Sequence, residues 1–173
     1  MLKNHSTQIP LESYLRDDQA TILAHPSKIK VVSMGRRWGK TITGGIASLV
    51  YSNRGASVAW IAPTFRNSRP LWRFCEQLTN PRAVTIHKAE REIDFPSGGR
   101  IAIYSADSDV AIRGEAFDLV IVDEAAQIKE ETYTDVLLPT IADHDGTIIL
   151  ISTPKGKNWF WHEWQKAHSI GAA

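Results

Sequence analysis

A chain of 173 residues and 19.3 kDa is one domain by size and can bury a substantial core. With 43% hydrophobic and 23% charged residues it is neither largely disordered nor equipped with a stretch long enough to span a membrane. A net charge of +1 excludes bulk electrostatics as a basis for nucleic-acid binding; if DNA binds, the basic surface must be assembled locally or by several subunits.

The opening segment, residues 1–26, starts with the polar Met1 to Ser6. It has no apolar run of the secretory kind, so a cytosolic protein is expected. Leu11, Leu15, Ile22 and Leu23, spaced by polar residues, predict one or two short helices packed over the site that follows. A strand over Ile29 to Met34 carries the β-branched Val31 and Val32. Gly35-Arg36-Arg37-Trp38-Gly39-Lys40-Thr41 then leads into a helix from Lys40 to Tyr51, with Ile42, Ile46, Leu49 and Val50 at helical spacing. This strand–loop–helix order is the one a phosphate cradle requires. Glycines let backbone N–H groups close around polyphosphate, a lysine meets the outer phosphate charge, and a hydroxyl holds Mg²⁺. Lys40 and Thr41 fit the last two roles. The usual pattern has a glycine five residues before Gly39; here Met34 occupies that place and Gly35 follows, so the loop is a variant.

A second strand is predicted at Ala56 to Ala62 and a helix after Pro63-Thr64, where Cys75 among Leu71, Trp72, Phe74 and Leu78 reads as a buried apolar residue rather than a catalytic thiol. The six histidines lack paired metal-ligand spacing, and no transition metal is expected. Glu92 to Phe95 and Arg100 to Tyr104 flank Pro96-Ser97-Gly98-Gly99, predicting an antiparallel hairpin inserted in a sheet that is otherwise parallel.

Leu119 to Val122 read as a strand buried on both faces, with Asp123 and Glu124 at its C-terminal end, the end where open α/β sheets bind ligands. There Asp123 can orient Mg²⁺ and Glu124 can polarise the water that attacks a γ-phosphate. The alternative is that the two carboxylates only open the next helix, at the positive end of its dipole. Glu131 to Leu138 predict a helix ended near Pro139, and Thr147 to Ser152 a further buried strand. Ser152 and Thr153, before Pro154, either cap a turn or, beside the acidic strand, bond the γ-phosphate or its attacking water. Trp159, Phe160, Trp161 and Trp164 lack an interleaved basic stripe. They predict a terminal helix docked on the sheet or on a following domain rather than a base-stacking platform.

Gly35-Arg36-Arg37-Trp38-Gly39-Lys40-Thr41, Ile112-Arg113-Gly114, Val122-Asp123-Glu124-Ala125-Ala126 and Ile151-Ser152-Thr153-Pro154-Lys155-Gly156, in that order, resemble the ATPase domain of the large terminase subunit of tailed bacteriophages. The resemblance covers nearly the whole chain. It implies an α/β P-loop NTPase of the RecA-like, additional-strand catalytic-glutamate type: a mostly parallel sheet flanked by helices, with residues 1–170 as one domain and 171–173 as a tail. It also implies ATP hydrolysis with Mg²⁺, held by Thr41 and Asp123, in the cytoplasm of an infected bacterial host.

By the same resemblance Gln19 contacts adenine, Arg36 points at the γ-phosphate, and Gly35, Arg37, Trp38 and Gly39 complete the loop around Lys40 and Thr41. Glu124 is the catalytic glutamate. Ser152 and Thr153 couple hydrolysis to movement, and Arg113 reaches a neighbour's site. The implied partners are double-stranded DNA, other copies of the chain in a ring, the portal protein and the small terminase subunit, with no membrane. A nuclease domain normally follows; with none within these residues, the chain alone is expected not to cut DNA. Two other readings stay open: one motor half of a helicase, and a nucleotide-binding assembly module without turnover.

Overall fold

Leu119–Asp123 forms the strand around which the rest is arranged, and every residue of it is buried. The computed structural model describes residues 11–142 and 144–170; residues 1–10 of the opening segment and the tail 171–173 lie outside the described residues. In chain order, a 3₁₀ turn at Leu11–Tyr14 precedes α1 (Asp17–Ala24), β1 (Ile29–Ser33), α2 (Lys40–Asn53), β2 (Ser57–Ala62) and α3 (Phe65–Leu78). The short strands β3 (Thr85–His87) and β4 (Glu92–Asp94) lead to β5 (Arg100–Ser105), β6 (Leu119–Asp123), α4 (Glu130–Thr132), α5 (Leu138–Ala142), β7 (Thr147–Ser152) and α6 (Trp159–Ile170).

The seven strands form one sheet in the order β1-β7-β6-β2-β5-β4-β3. β1, β7, β6, β2 and β5 run parallel, and the predicted hairpin, β4 against β5, adds an antiparallel margin that β3 extends. A sheet covered on both sides needs apolar residues on both faces of its strands, and β6 supplies them. Val120 and Val122 pack with Tyr133, Leu137, Trp159 and Phe160 of the α4–α6 layer; Leu119 and Ile121 pack with Leu49, Leu71 and Cys75 of the α2–α3 layer.

The predicted elements recur within a residue or two, with one correction. The helix expected to stop near Pro139 continues through it to Ala142. A proline inside a helix lacks an N–H and crowds the preceding turn. Here the turn before it, Tyr133–Leu137, is π-helical, with the Leu138 N–H donating to the Tyr133 carbonyl five residues back. The widened turn accommodates the ring, so the helix is relaxed rather than ended.

Candidate active site

β1 and β6 are not neighbours in the sheet; β7 lies between them, with Ser33 opposite Ser152 and Asp123 opposite Ile151. The C-terminal end of β7 therefore meets both loops that the sequence nominates. Ser152 is fully buried and its carbonyl accepts from the Met34 N–H (3.0 Å) at the entry of the glycine loop. Its hydroxyl accepts from the Ala126 N–H (3.2 Å), two residues past Glu124, and donates to the Thr153 carbonyl (3.1 Å). Thr153 turns the other way: its hydroxyl receives the Lys40 ammonium at 2.6 Å, while Lys40 Nζ also donates to the Met34 carbonyl at 3.1 Å. The Ser-Thr pair is thus divided between the acidic turn and the loop lysine.

The loop itself holds two left-handed residues, Arg37 (φ 67°) and Gly39 (φ 96°), on either side of Trp38. For Arg37 that conformation costs about 1–2 kcal/mol, so contacts elsewhere must hold it. Gly39 needs its hydrogen for a second reason: a Cβ there would stand 2.7 Å from Gln19 Nε2. Gly35, Arg36 and Arg37 are exposed on the rim, and Lys40 and Thr41 are half-buried in the first turn of α2. The first N–H groups of that 14-residue helix have no carbonyl partner within it, which makes its start a ready anion site.

Asp123 is 8% exposed. Burial and the neighbouring Glu124 charge push its carboxyl up to about 6, against the pull of the Glu124 backbone N–H (3.0 Å) and the Lys40 ammonium. A buried carboxylate with a second one beside it is short of positive charge, which a divalent cation could supply. Glu124 sits on a left-handed backbone (φ 51°), half-buried, with Gln127 Nε2 donating to its Oε2 at 3.3 Å. That turn aims the glutamate out of the strand instead of continuing it.

Gln19 is 2% exposed, and both ends of its amide are engaged: Oε1 accepts from the Arg16 N–H (3.0 Å), and Nε2 donates to the Trp38 carbonyl (3.1 Å). The amide is spent on the glycine loop and on the start of its own helix. Arg113 is exposed between the fully buried Ile112 and left-handed Gly114 (φ 83°), on a loop whose Glu115 pairs with Arg100 of β5 at 2.5 Å. It lines a cleft with Pro63, Asp107, Gln127 and Lys129, so it borders the acidic turn through Gln127.

Sequence reasoning missed Asn158. Its side chain donates to the Ala126 carbonyl (3.1 Å), so Ala126 is held on one side by Ser152 and on the other by the residue before α6. Trp159 adds a bond from its indole to the Ile128 carbonyl at 2.7 Å. An asparagine just before a helix reads as an ordinary cap, which hid this role. Trp159 and Phe160 are buried as expected, whereas Trp161 and Trp164 are half-buried. Burial pushes the Cys75 thiol up to about 12, which removes it as a nucleophile.

A family profile described as "Terminase large subunit, T4likevirus-type, N-terminal" matches residues 31–170. The terminase large subunits of Thermus virus P23-45 and Thermus phage G20c are each 30% identical over 166 residues, covering 83% of this chain and 34% of theirs. The chain thus spans about a third of the length of these curated relatives. Among solved structures, the large terminase ATPase domain of Thermus phage P74-26 superposes with a TM-score of 0.76 at 26% identity, over 94% of this chain and 74% of that one. The large terminase of another thermophilic bacteriophage, in complex with ATP-γ-S, shares the fold with a TM-score of 0.68 at 17% identity, over 89% of this chain and 42% of that one. A glycine loop and an acidic strand end bridged by one intervening strand, on an α/β sheet of P-loop NTPase type, thus go with sequence similarity along most of the chain: it belongs to the family of N-terminal ATPase domains of phage terminase large subunits.

Proposed function

We propose that this domain hydrolyses ATP and that, in its terminase, hydrolysis drives double-stranded DNA into a procapsid. The observation that carries the reading is Ser152, bonded through its carbonyl to the entry of the phosphate loop and through its hydroxyl to the turn after Glu124. A pair of loops tied to one residue is what a γ-phosphate needs if it is to be bound by one and attacked from the other.

In this reading the α2 N-terminus and Lys40 bind the triphosphate, and Lys40 exchanges the Thr153 hydroxyl for phosphate oxygen. Thr41 and Asp123 would hold Mg²⁺, which neutralises phosphate charge and helps orient the transferred group. Glu124 orients and deprotonates the attacking water. Arg36, on the exposed rim, and Arg113, from a neighbouring copy, supply positive charge to the transition state. Loss of the Lys40–Thr153 bond on phosphate binding frees the segment after β7. Through Asn158 and Trp159 that segment is attached both to the acidic turn and to α6, so the start of α6 is where hydrolysis is converted into movement. DNA, a ring of like subunits, the portal protein and the small terminase subunit are its partners in this reading, as they are for the family.

Phosphate release with and without DNA, across a range of protein concentrations, tests turnover. Glu124→Gln keeps the side chain's shape and removes its basicity, so it is expected to bind ATP while hydrolysing about 10²–10⁴ times more slowly. Wild-type turnover in that variant removes Glu124 from the chemistry. Nucleotide binding without phosphate release from the wild type under every condition makes the domain an assembly module.

A further inference from the structure

The phosphate loop is held by α1 through contacts that no part of the nucleotide chemistry explains. Trp38, between the left-handed Arg37 and Gly39, is fastened at three points. Its carbonyl accepts from Gln19 Nε2 at 3.1 Å, its indole Nε1 donates to Asp18 Oδ2 at 2.9 Å, and the Arg16 guanidinium lies over its ring, 5.4 Å from the centroid. Arg16 in turn grips Asp18 with both arms of its fork, Nε to Oδ1 and Nη2 to Oδ2, each at 3.1 Å. The far end of α1 is anchored as well, because the buried Lys30 ammonium of β1 donates to the Leu23 carbonyl at 2.6 Å. The helix is therefore tied to β1 at one end and to the loop at the other.

We propose that Asp18 is a positioning residue for nucleotide binding. Through the Trp38 indole and the Arg16 fork it holds the phosphate loop in its open, left-handed conformation before ATP arrives. An unligated loop with a strained arginine would otherwise relax, and the ligand would have to restore the cradle at the expense of its affinity. Asp18 itself is exposed and on α1, and its side chain is bonded to Trp38 and Arg16, so its contribution falls on how tightly nucleotide binds rather than on the chemical step. The proposal rests on the nucleotide-site reading above.

The test is calorimetric affinity for a non-hydrolysable ATP analogue with Mg²⁺, together with steady-state KM and kcat. Asp18→Ala removes both the indole and the guanidinium contact and is expected to weaken binding roughly tenfold, with the loss in KM rather than kcat. Asp18→Asn keeps an oxygen for the indole and is expected to recover most of that affinity. Trp38→Phe keeps an aromatic ring, though a smaller one, and removes the N–H; in that background Asp18→Ala is expected to lose most of its effect, a coupling that general destabilisation does not produce.

Wild-type affinity in Asp18→Ala, or equal losses with and without the indole, overturns the proposal. Should Asp18→Ala fail to fold, Trp38→Phe against wild type decides the matter: unchanged affinity overturns the latch and a clear loss supports it. Lys40→Ala separates the two layers of argument. If it abolishes binding while Asp18→Ala does not weaken it, the latch alone is wrong; if Lys40→Ala binds like wild type, the site reading fails and the latch with it.

Discussion

Asp123 carries a charge that the folded domain would rather not bury. With its carboxyl pushed up to about 6 by burial and by Glu124, from an ordinary 3.8, the folded chain holds this proton more tightly than the unfolded chain does. Its contribution to stability is therefore present at low pH and is lost as pH rises through about 6. In chelator and without nucleotide, Asp123→Asn is expected to stabilise the domain near neutrality, by about 3 kcal/mol at most. The gain should shrink as pH falls through 6 towards 3.8. Urea titrations of the two proteins at several pH values check the sign. If Asp123 holds Mg²⁺ as proposed, the same substitution should lower Mg-dependent turnover, because it removes the oxygen charge that would attract the cation.

At the scale of elements, α2 meets both β2 and α3 closely because it has two glycines in its middle. A Cβ at Gly44 would stand 2.5 Å from a ring carbon of Trp60, and one at Gly45 would stand 2.6 Å from Phe74. Glycine lowers helix propensity by about 1 kcal/mol per site, so propensity alone argues against a helix here. Amphipathic spacing over Ile46, Leu49 and Val50 made the helix legible all the same; the reason for the glycines was not, since Trp60 lies on another strand. Gly44→Ala gains propensity yet is expected to destabilise the domain by about 1–3 kcal/mol, because the fully buried Trp60 has nowhere to move. A denaturation midpoint at or above that of the wild type would contradict the packing argument. Pro139 shows the converse. A local rule predicted a stop, and a π turn upstream, invisible in composition, let the helix run on.

For the molecule as a whole, the loop carrying Arg113 faces outward beside the acidic turn, braced by Glu115 against Arg100 on β5 and rooted by Ile112. If that arginine completes a neighbour's site, specific activity of the wild type rises with protein concentration as subunits meet. Arg113→Ala should then remain at the low floor of the monomer, about 10³-fold down at saturation. Phosphate-release rates over a dilution series test this, and activity independent of both concentration and Arg113 would remove the arginine from the reaction. The positive surface at Arg66, Arg69 and Arg73 of α3 is exposed on a chain of net charge +1. If the domain moves DNA as proposed, contact with DNA phosphate would therefore be a local matter repeated by each copy of the chain.

Sequence alone determined most of the elements and nominated the residues for the proposed chemistry, because both depend on residues near one another along the chain. The unbroken apolar run from Leu119 to Val122, the helical period after Lys40, and glycine, lysine and threonine at the spacing of a phosphate loop are all local. Which loops share a residue, and which side chain holds which loop, was decided by tertiary structure. β7 lies between β1 and β6, so Ser152 bonds to segments 118 and 26 residues away; Asp18 meets Trp38 across 20 residues. Such pairings follow from strand order and helix docking, which bring together side chains that no window of the sequence contains.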